Sequence, residues 1–307
     1  MERYKDRAFQ RNYGFWNEAE QKALLTKKVA IAGVGGDGFQ LGLKLAMMGV
    51  ENFSIADPED FEAENSNRVL GATTNDCGQN KADIFKKRVL ELRPNAKIEI
   101  FNDGVTKDNV VDFMADADLV LDESELTHLE IGTNIAREAR RIKVPDLFLM
   151  NIGFAAIGSS FHFEDNKSSF ESIMGIPKGM PLDEIAEMKV DFSRCLPYVP
   201  NYGDISSLIA VEQGASLPSI SPGVDIASAM GSTEVFLHLT NGLGNHRRQP
   251  TWAPKFRYMD SYNGESGVTS MPRASFYRRI MGVAILSKLG LNPRASYSQE
   301  ERDSRNK

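Results

Sequence analysis

An apolar strand followed at once by a glycine-rich turn and a helix is the feature that most constrains how this chain can fold. Residues 27–32 form a short run rich in branched apolar side chains, and the segment GVGGDG at 33–38 follows directly. Residues 37–48 then carry Leu and Met side chains at helical spacing. Glycines at such a turn let the chain bend tightly, and they let backbone amides approach a phosphate at the positive end of a helix. The segment therefore predicts a strand–turn–helix unit that binds a phosphate group.

The same alternation of strand and helix continues through the first half of the chain. Short apolar runs predict further strands over 52–56, 97–101, 118–121 and 146–150. Amphipathic segments predict helices over 18–25, 80–92, 109–114 and 131–142. Strands that alternate with helices at this spacing form a parallel sheet covered on both faces. The sequence therefore predicts an α/β fold, namely a Rossmann-like, doubly wound, mostly parallel sheet.

The pattern changes after about residue 154. Residues 155–163 predict a strand that leaves the parallel sheet, and 167–222 are dense in Pro, Gly, Ser and Met with no clean period. This predicts an irregular C-terminal excursion that contains short helices. Extra elements are predicted beyond it, with helices over 225–239 and 276–289 and a strand over 255–259.

Composition and charge exclude several classes of protein. The chain has 36 Lys and Arg residues against 42 Asp and Glu, a formal charge of −6, so we expect no nucleic acid partner. No apolar run reaches the roughly 18–20 residues of a membrane span, and the charged N-terminus lacks the apolar core of a secretory signal. The two cysteines, Cys77 and Cys195, exclude a disulfide framework. We therefore expect a cytoplasmic protein with no membrane partner.

The residues that follow the second predicted strand favour nucleotide chemistry. Asp57 lies 24 positions after Gly33, where an acidic side chain can accept hydrogen bonds from a ribose. Arg68 follows in the segment ENSNR, and Lys81 opens the next predicted helix. An arginine and a lysine that converge near a helix N-terminus suit the phosphates of a nucleoside triphosphate. The neighbouring asparagines can orient that triphosphate or brace the loop without adding charge.

Taken together, these motifs resemble the ATP-binding pattern of the ThiF/MoeB superfamily, which includes ubiquitin-activating enzymes and adenylating enzymes of microcin-type pathways. The resembling motifs are Gly-x-Gly-Gly-x-Gly at 33–38, the acids at 57 and 59, Asn-x-Asn-Arg at 65–68 and Gly-x-x-Lys-Ala at 78–82. The resemblance extends over about residues 11–163. It implies an adenylyltransferase that activates a carboxylate on a peptide or small carrier protein, giving acyl-AMP and pyrophosphate. It also implies a homodimer in which an N-terminal arginine reaches the neighbouring subunit's ATP.

The resemblance assigns roles residue by residue. It implies that Arg68, Lys81, Asn67 and, from the partner subunit, Arg11 act on the triphosphate. Arg7 is the second candidate for that arginine. The implied ATP-binding residues are Gly33, Gly35, Gly36, Gly38, Asp57, Glu59 and Asn65. For Mg²⁺ it points to the segment DESE at 122–125, where Glu125 stands in place of the family's metal-binding aspartate and Asp122 precedes it. The choice between these two carboxylates stays open.

The sequence predicts four segments: an N-terminal arm and helix at 1–26, a nucleotide-binding adenylation domain at 27–165, a substrate-recognition or dimerisation region at 166–295 and a polar tail at 296–307. Since the chain lacks the family's Cys-x-x-Cys pairs, we expect no structural zinc. Cys195 lies in the region where some members carry an acyl-accepting thiol, but without a matching motif. Two other functions remain open, a nucleotide-binding scaffold or sensor that has lost catalysis and an NAD(P)-dependent oxidoreductase.

Overall fold

The computed structural model describes residues 7–163, 168–189, 197–203 and 218–270. Their strands form one eight-stranded sheet in the order β3-β2-β1-β4-β5-β6-β7-β8. The strands are β1 Lys28–Ala32, β2 Asn52–Ala56, β3 Lys97–Phe101, β4 Leu119–Asp122, β5 Asp146–Ile152, β6 Ala155–Phe161, β7 Lys255–Asp260 and β8 Glu265–Ser270. Strands β1 to β5 run parallel, and each of β6, β7 and β8 pairs antiparallel with the strand before it. The predicted α/β fold with a mostly parallel sheet is confirmed.

Helices cover both faces of this sheet. In the described residues they are α1 Glu18–Thr26, α2 Gly36–Met48, α3 Lys81–Leu92, α4 Val110–Phe113, α5 Leu129–Ile142, α6 Phe170–Met174, α7 Leu182–Ala186 and α8 Ser221–Leu239. Local chemistry sets several of their ends. Helix α3 begins where the Asn80 side chain accepts a 2.9 Å hydrogen bond from the amide of Ala82, and α2 ends at Gly49, whose φ of 116° is left-handed. Every one of these helices is too short or too polar to span a bilayer.

Three apolar clusters hold the layers together. One lies between the sheet and helices α2, α3 and α8, and includes Leu41, Phe53 and Phe85. A second lies on the opposite face beneath α4 and α5, and a third packs α6 and α7 against β5, β6 and β7. A Cβ atom at Gly231 of α8 would lie 2.3 Å from both Leu41 and Leu149, so α8 packs directly onto α2 and the sheet. This packing places the N-terminus of α8 beside that of α2.

The structure departs from the sequence prediction mainly in the second half. The strand predicted to leave the parallel sheet is β6, but it stays in the same sheet, because its whole length pairs antiparallel with β5. Strand β8 was not predicted, since its sequence ESGVTS has no apolar run and its side chains are mostly exposed. Short helices α6 and α7 confirm the predicted character of the excursion. The helix predicted over 276–289, the tail at 296–307 and Cys195 lie outside the described residues.

Candidate functional site

The glycine turn connects the carboxyl end of β1 to the first turn of α2. Gly33 has a φ of +97°, and a Cβ atom there would lie 2.4 Å from the carbonyl oxygen of Glu123. A Cβ atom at Gly38 would lie 2.0 Å from the Gly33 carbonyl oxygen. By contrast, no described atom lies within 4 Å of the Cβ position of Gly35, the residue that precedes the helix. The turn is therefore closed on its protein side and open beside the amides that begin α2.

Asp57 links this turn to the carboxyl end of β2. It is 4% exposed, and its Oδ2 atom accepts a 2.8 Å hydrogen bond from the amide of Val34. Its Oδ1 atom accepts a second bond, of 2.9 Å, from the amide of Glu59. Burial raises the pKa of the Asp57 carboxyl above its ordinary value, more than the nearby Lys81 ammonium lowers it. The structure thus places Asp57 against the glycine turn, and its role at a ribose stays a prediction.

Arg68 approaches the same turn from the loop that follows β2. A Cβ atom at Gly36 would lie 3.5 Å from Cγ of Arg68, so the arginine side chain passes the first turn of α2. Its Nη1 atom donates a 2.8 Å hydrogen bond to Oδ1 of Asn67. The buried Asn65 braces the loop, because its Oδ1 atom accepts a 3.0 Å bond from the amide of Glu62. The two asparagines therefore have different positions, since Asn65 is internal to the loop and Asn67 is exposed beside Arg68.

Lys81 is the first residue of α3, and it is 6% exposed. Its Nζ atom forms an ion pair with the exposed carboxylate of Glu59. The Lys81 ammonium also acts on Asp57, whose pKa it lowers. Lys81, Glu59 and Asp57 therefore form one charged group at the carboxyl end of β2.

The two candidate metal carboxylates differ in their surroundings. Asp122 ends β4 and is 2% exposed, and its Oδ1 atom accepts hydrogen bonds from the Ser124 amide, at 3.1 Å, and from the Ser124 hydroxyl, at 2.5 Å. Burial raises the pKa of the Asp122 carboxyl to about 6. Glu125 is exposed, and its Oε2 atom accepts a 3.1 Å bond from the Thr127 hydroxyl. In the described chain, no cluster of three or more His, Cys, Asp or Glu side chains has the arrangement of a metal site.

Arg11 lies outside this group in the segment before α1. Its side chain is exposed, and its neighbour Asn12 donates a 3.2 Å bond to the Gln21 side chain of α1. The structure therefore joins Arg68, Lys81, Asp57 and the glycine turn at one edge of the sheet, and it leaves Arg11 on the surface.

Sequence reasoning missed three polar residues that lie at this edge. Asp37, inside the glycine motif, accepts bonds at Oδ2 from the Asn151 amide, at 3.1 Å, and from Asn151 Nδ2, at 2.8 Å. Burial raises the pKa of the Asp37 carboxyl to about 6, although Arg68 opposes that shift. The Oδ1 atom of Asn151 accepts a 3.0 Å bond from the Ser219 hydroxyl. Asp37 lies inside the glycine motif and Asn151 follows a predicted strand, so the sequence offered a reason to consider both. No sequence pattern indicates Ser219.

Glu123 is a fourth acidic group to which the sequence assigns no role. It follows β4, and its Oε1 atom is buried with no hydrogen-bond partner in the described part of the chain. Its pKa is raised well above the ordinary value, mainly by burial and then by the charges of Asp37 and Asp122. Three acidic side chains therefore share the protein interior behind the glycine turn.

Several known proteins are similar to this chain in sequence. Relatives include the sulfur carrier protein ThiS adenylyltransferase of Escherichia coli, which is 33% identical over 102 residues, covering 33% of this chain and 41% of that protein. A probable molybdopterin-synthase adenylyltransferase of Porphyra purpurea is 28% identical over 158 residues, covering 52% of this chain and 38% of that protein. Protein HesA, heterocyst, of Trichormus variabilis is 33% identical over 122 residues, covering 40% and 45%. The chain thus spans less than half the length of each of these relatives.

Solved structures share the fold. The crystal structure of E. coli MccB with ATP has a TM-score of 0.64 at 14% identity, with 86% of this chain and 71% of that one covered. PaaA has a TM-score of 0.59 at 20% identity, covering 82% and 66%. The sequence also matches the ThiF family over residues 9–274, which includes the glycine turn and every charged residue beside it. This chain belongs to the ThiF family.

Proposed function

We propose that this protein binds ATP at the carboxyl edge of its sheet and adenylates a carboxylate on a peptide or small carrier protein. The observation that carries the proposal is that Asp57 and Arg68 lie against the open N-terminus of α2, with the Lys81 ammonium close enough to Asp57 to lower its pKa. The three side chains come from the connection between β2 and the start of α3, and they lie beside a turn with room next to its amides. A polyphosphate with an attached ribose matches this combination of amides, cations and one acid.

The N-terminus of α2 supplies the first part of the phosphate site. Its amides point toward the open space beside Gly35, and the helix dipole adds a partial positive charge there. Since Asp57 holds the turn through Val34, the same carboxylate can fix the amides and accept a ribose hydroxyl with its remaining lone pairs.

Arg68 and Lys81 supply the full positive charges. Arg68 presents a planar fork of donors suited to phosphate oxygens, and Lys81 is a compact charge with three donors. The ion pair with Glu59 occupies one of those donors, so the Lys81 ammonium can bind a phosphate oxygen without leaving Glu59. Both cations would stabilise the charge that builds up on the phosphates during the reaction.

The chain has a carboxylate that fits a magnesium ion. Glu125 is exposed in the loop after β4, whereas Asp122 is buried and already bonded to Ser124, so we assign the metal to Glu125. Mg²⁺ prefers oxygen ligands and usually takes most of them from phosphates and water, so one carboxylate suffices. When bound, the ion supplies positive charge at the phosphate oxygens.

We propose that the following reaction takes place beside these groups. An oxygen of the substrate carboxylate attacks the α-phosphorus, the bond to the bridging oxygen of the β-phosphate breaks, and pyrophosphate leaves with that electron pair. The products are acyl-AMP and pyrophosphate. The nucleophile is already ionised at neutral pH, so the protein needs no general base. Its task is to orient the triphosphate and to neutralise charge, which is the work we assign to Arg68 and Lys81.

The proposal also covers the substrate and the oligomeric state. A named relative is an adenylyltransferase for the sulfur carrier protein ThiS, and MccB has been crystallised with MccA, which supports a peptide or carrier protein as substrate. We place substrate recognition or dimerisation in residues 166–295, and we propose a cytoplasmic homodimer in which Arg11 serves the partner subunit's ATP. The surface position of Arg11 is compatible with that role.

Isotope exchange between pyrophosphate and ATP tests the proposal, with candidate peptides and carrier proteins as acceptors. Exchange that depends on both the acceptor and Mg²⁺ supports adenylation. Tight ATP binding without exchange for any acceptor would instead indicate a scaffold or sensor. Calorimetric titration with NAD and with ATP–Mg²⁺ separates the remaining alternative, because an oxidoreductase would prefer NAD.

A further inference from the structure

A continuous chain of hydrogen bonds runs from Arg68 to the first turn of α2. Arg68 donates to Oδ1 of Asn67 at 2.8 Å, and Nδ2 of Asn67 donates to the Ser219 carbonyl at 3.1 Å. The Ser219 hydroxyl donates to Oδ1 of Asn151 at 3.0 Å. Nδ2 of Asn151 donates to Asp37 at 2.8 Å. We call Asn67, Ser219, Asn151 and Asp37 the relay; it joins four separate parts of the chain.

Each member of the relay has a defined orientation. The amide oxygen of Asn151 accepts from Ser219, so its amide nitrogen must face the Asp37 carboxylate, which also accepts the Asn151 backbone amide at 3.1 Å. Ser219 uses its carbonyl toward Asn67 and its hydroxyl toward Asn151. The amide of Asn67 likewise donates on one side and accepts from Arg68 on the other. Rotation of the Asn67 or the Asn151 side chain would therefore break a hydrogen bond on each side.

We infer that Ser219 and Asn151 are positioning residues, which hold Asn67 and thereby aim the Arg68 guanidinium at the phosphate site. The inference deepens the proposed function and rests on it, since it requires Arg68 to contact ATP. Neither positioning residue needs to touch the nucleotide. They act by restricting the Arg68 side chain before ATP binds. Arg68 has many rotamers, so without this restriction the entropy cost of ordering it would reduce the binding free energy.

The fold does not need the Ser219 hydroxyl for the start of α8. That helix is held by close packing, because a Cβ atom at Gly223 would lie 2.1 Å from the Gly153 carbonyl and Val224 lies against Gly36. Ser219 itself is only partly buried. Removal of its hydroxyl should therefore leave α8 in place, while freeing Asn151 and the Ser219 segment to shift.

Titration of the purified full chain with ATP–Mg²⁺ tests this inference. We expect Ser219→Ala to weaken ATP binding about three- to tenfold, the range expected for loss of one hydrogen bond, and to lower the melting temperature by only a few degrees. Ser219→Thr keeps the hydroxyl and should restore affinity. Adenosine, which carries no phosphate, should bind wild type and Ser219→Ala equally. The matched control is Ser232→Ala, whose hydroxyl donates to the Ala229 carbonyl within α8.

A double-mutant cycle gives the decisive readout. If Ser219 acts through Arg68, adding Ser219→Ala to Arg68→Ala should cause no further loss of ATP affinity. Equal losses from Ser219→Ala in both backgrounds, or an equal loss for adenosine, would overturn the positioning role and leave the proposed function intact. Wild-type protein that fails to bind ATP, or Arg68→Ala with full affinity, would overturn the proposed function and with it this inference. Asn151→Ala provides a second variant for the same cycle.

Discussion

Oδ2 of Asp57 accepts a 2.8 Å hydrogen bond from the backbone amide of Val34, so the carboxyl end of one strand holds the turn that follows its neighbour. The carboxylate is buried, and its other oxygen is bonded to the Glu59 amide. The same side chain that the sequence assigns to the ribose therefore also sets the shape of the glycine turn. Loss of this one group should affect both binding and folding.

Asp57→Ala should weaken ATP binding and lower the stability of the empty protein. The buried Val34 amide would lose its partner, which costs about 1–3 kcal/mol of unfolding free energy. Urea denaturation and ATP titration of the same samples measure the two effects. A variant with wild-type stability would show that the turn keeps its shape without Asp57.

Arg68→Ala should lower the rate of pyrophosphate exchange by about 10²–10³-fold, because a charge that stabilises the transferring phosphate is gone. The control is Arg141→Ala, an exposed arginine paired with Glu138 on α5. Exchange kinetics of the two variants, with the acceptor held constant, provide the measurement. If both variants behave alike, Arg68 has no special role in catalysis.

Two glycines of the turn should respond in opposite ways to alanine. Gly38→Ala places a methyl group 2.0 Å from the Gly33 carbonyl, so it should destabilise the fold by roughly 2–4 kcal/mol. Gly35→Ala meets no described atom within 4 Å, so its methyl group has room and should destabilise the fold much less than Gly38→Ala does. The methyl group would instead occupy the space that we assign to phosphate, and ATP affinity should fall. Thermal melts with and without ATP distinguish the two outcomes.

Asp37→Asn should stabilise the protein at neutral pH but not in acid. Burial raises the Asp37 pKa from 3.8 to about 6 in the folded state, so the folded protein binds the proton more tightly than the unfolded chain. Unfolding free energy is therefore lost as pH rises from about 4 through 6, by about 3 kcal/mol in all. The variant lacks this dependence, so its advantage should grow between pH 4 and pH 7.5 in urea denaturation. A constant difference across that range would contradict the assignment.

Mixing two inactive variants tests the role proposed for Arg11. Arg11→Ala and Arg68→Ala homodimers should each show little exchange activity. After subunit exchange, half the dimers are mixed, and one site in each mixed dimer has both arginines, so about a quarter of wild-type activity should return. No recovery, with mixed dimers verified by mass spectrometry, would place Arg11 outside the partner's site.

Local sequence patterns predicted most of the parallel sheet correctly. Strands β2 and β3 begin and end at the predicted residues, because short apolar runs bounded by polar turns leave little choice of structure. The turn at 33–38 was predicted from its glycines and the flanking strand and helix, although the close contact that restricts Gly33 comes from the distant Glu123 carbonyl. The polar strand β8 had no comparable signal, as only pairing with β7 defines it.

The sequence by itself determined the α/β fold, the glycine turn and the identity of the charged residues near it, because each depends on short-range periodicity or spacing. Tertiary structure alone decided which of those residues meet. Lys81 pairs with Glu59, and Asn67 bonds to Ser219, which lies 152 positions later. The Asn67–Ser219 contact depends on how α8 packs against α2, and that packing follows from the whole apolar core rather than from any local pattern.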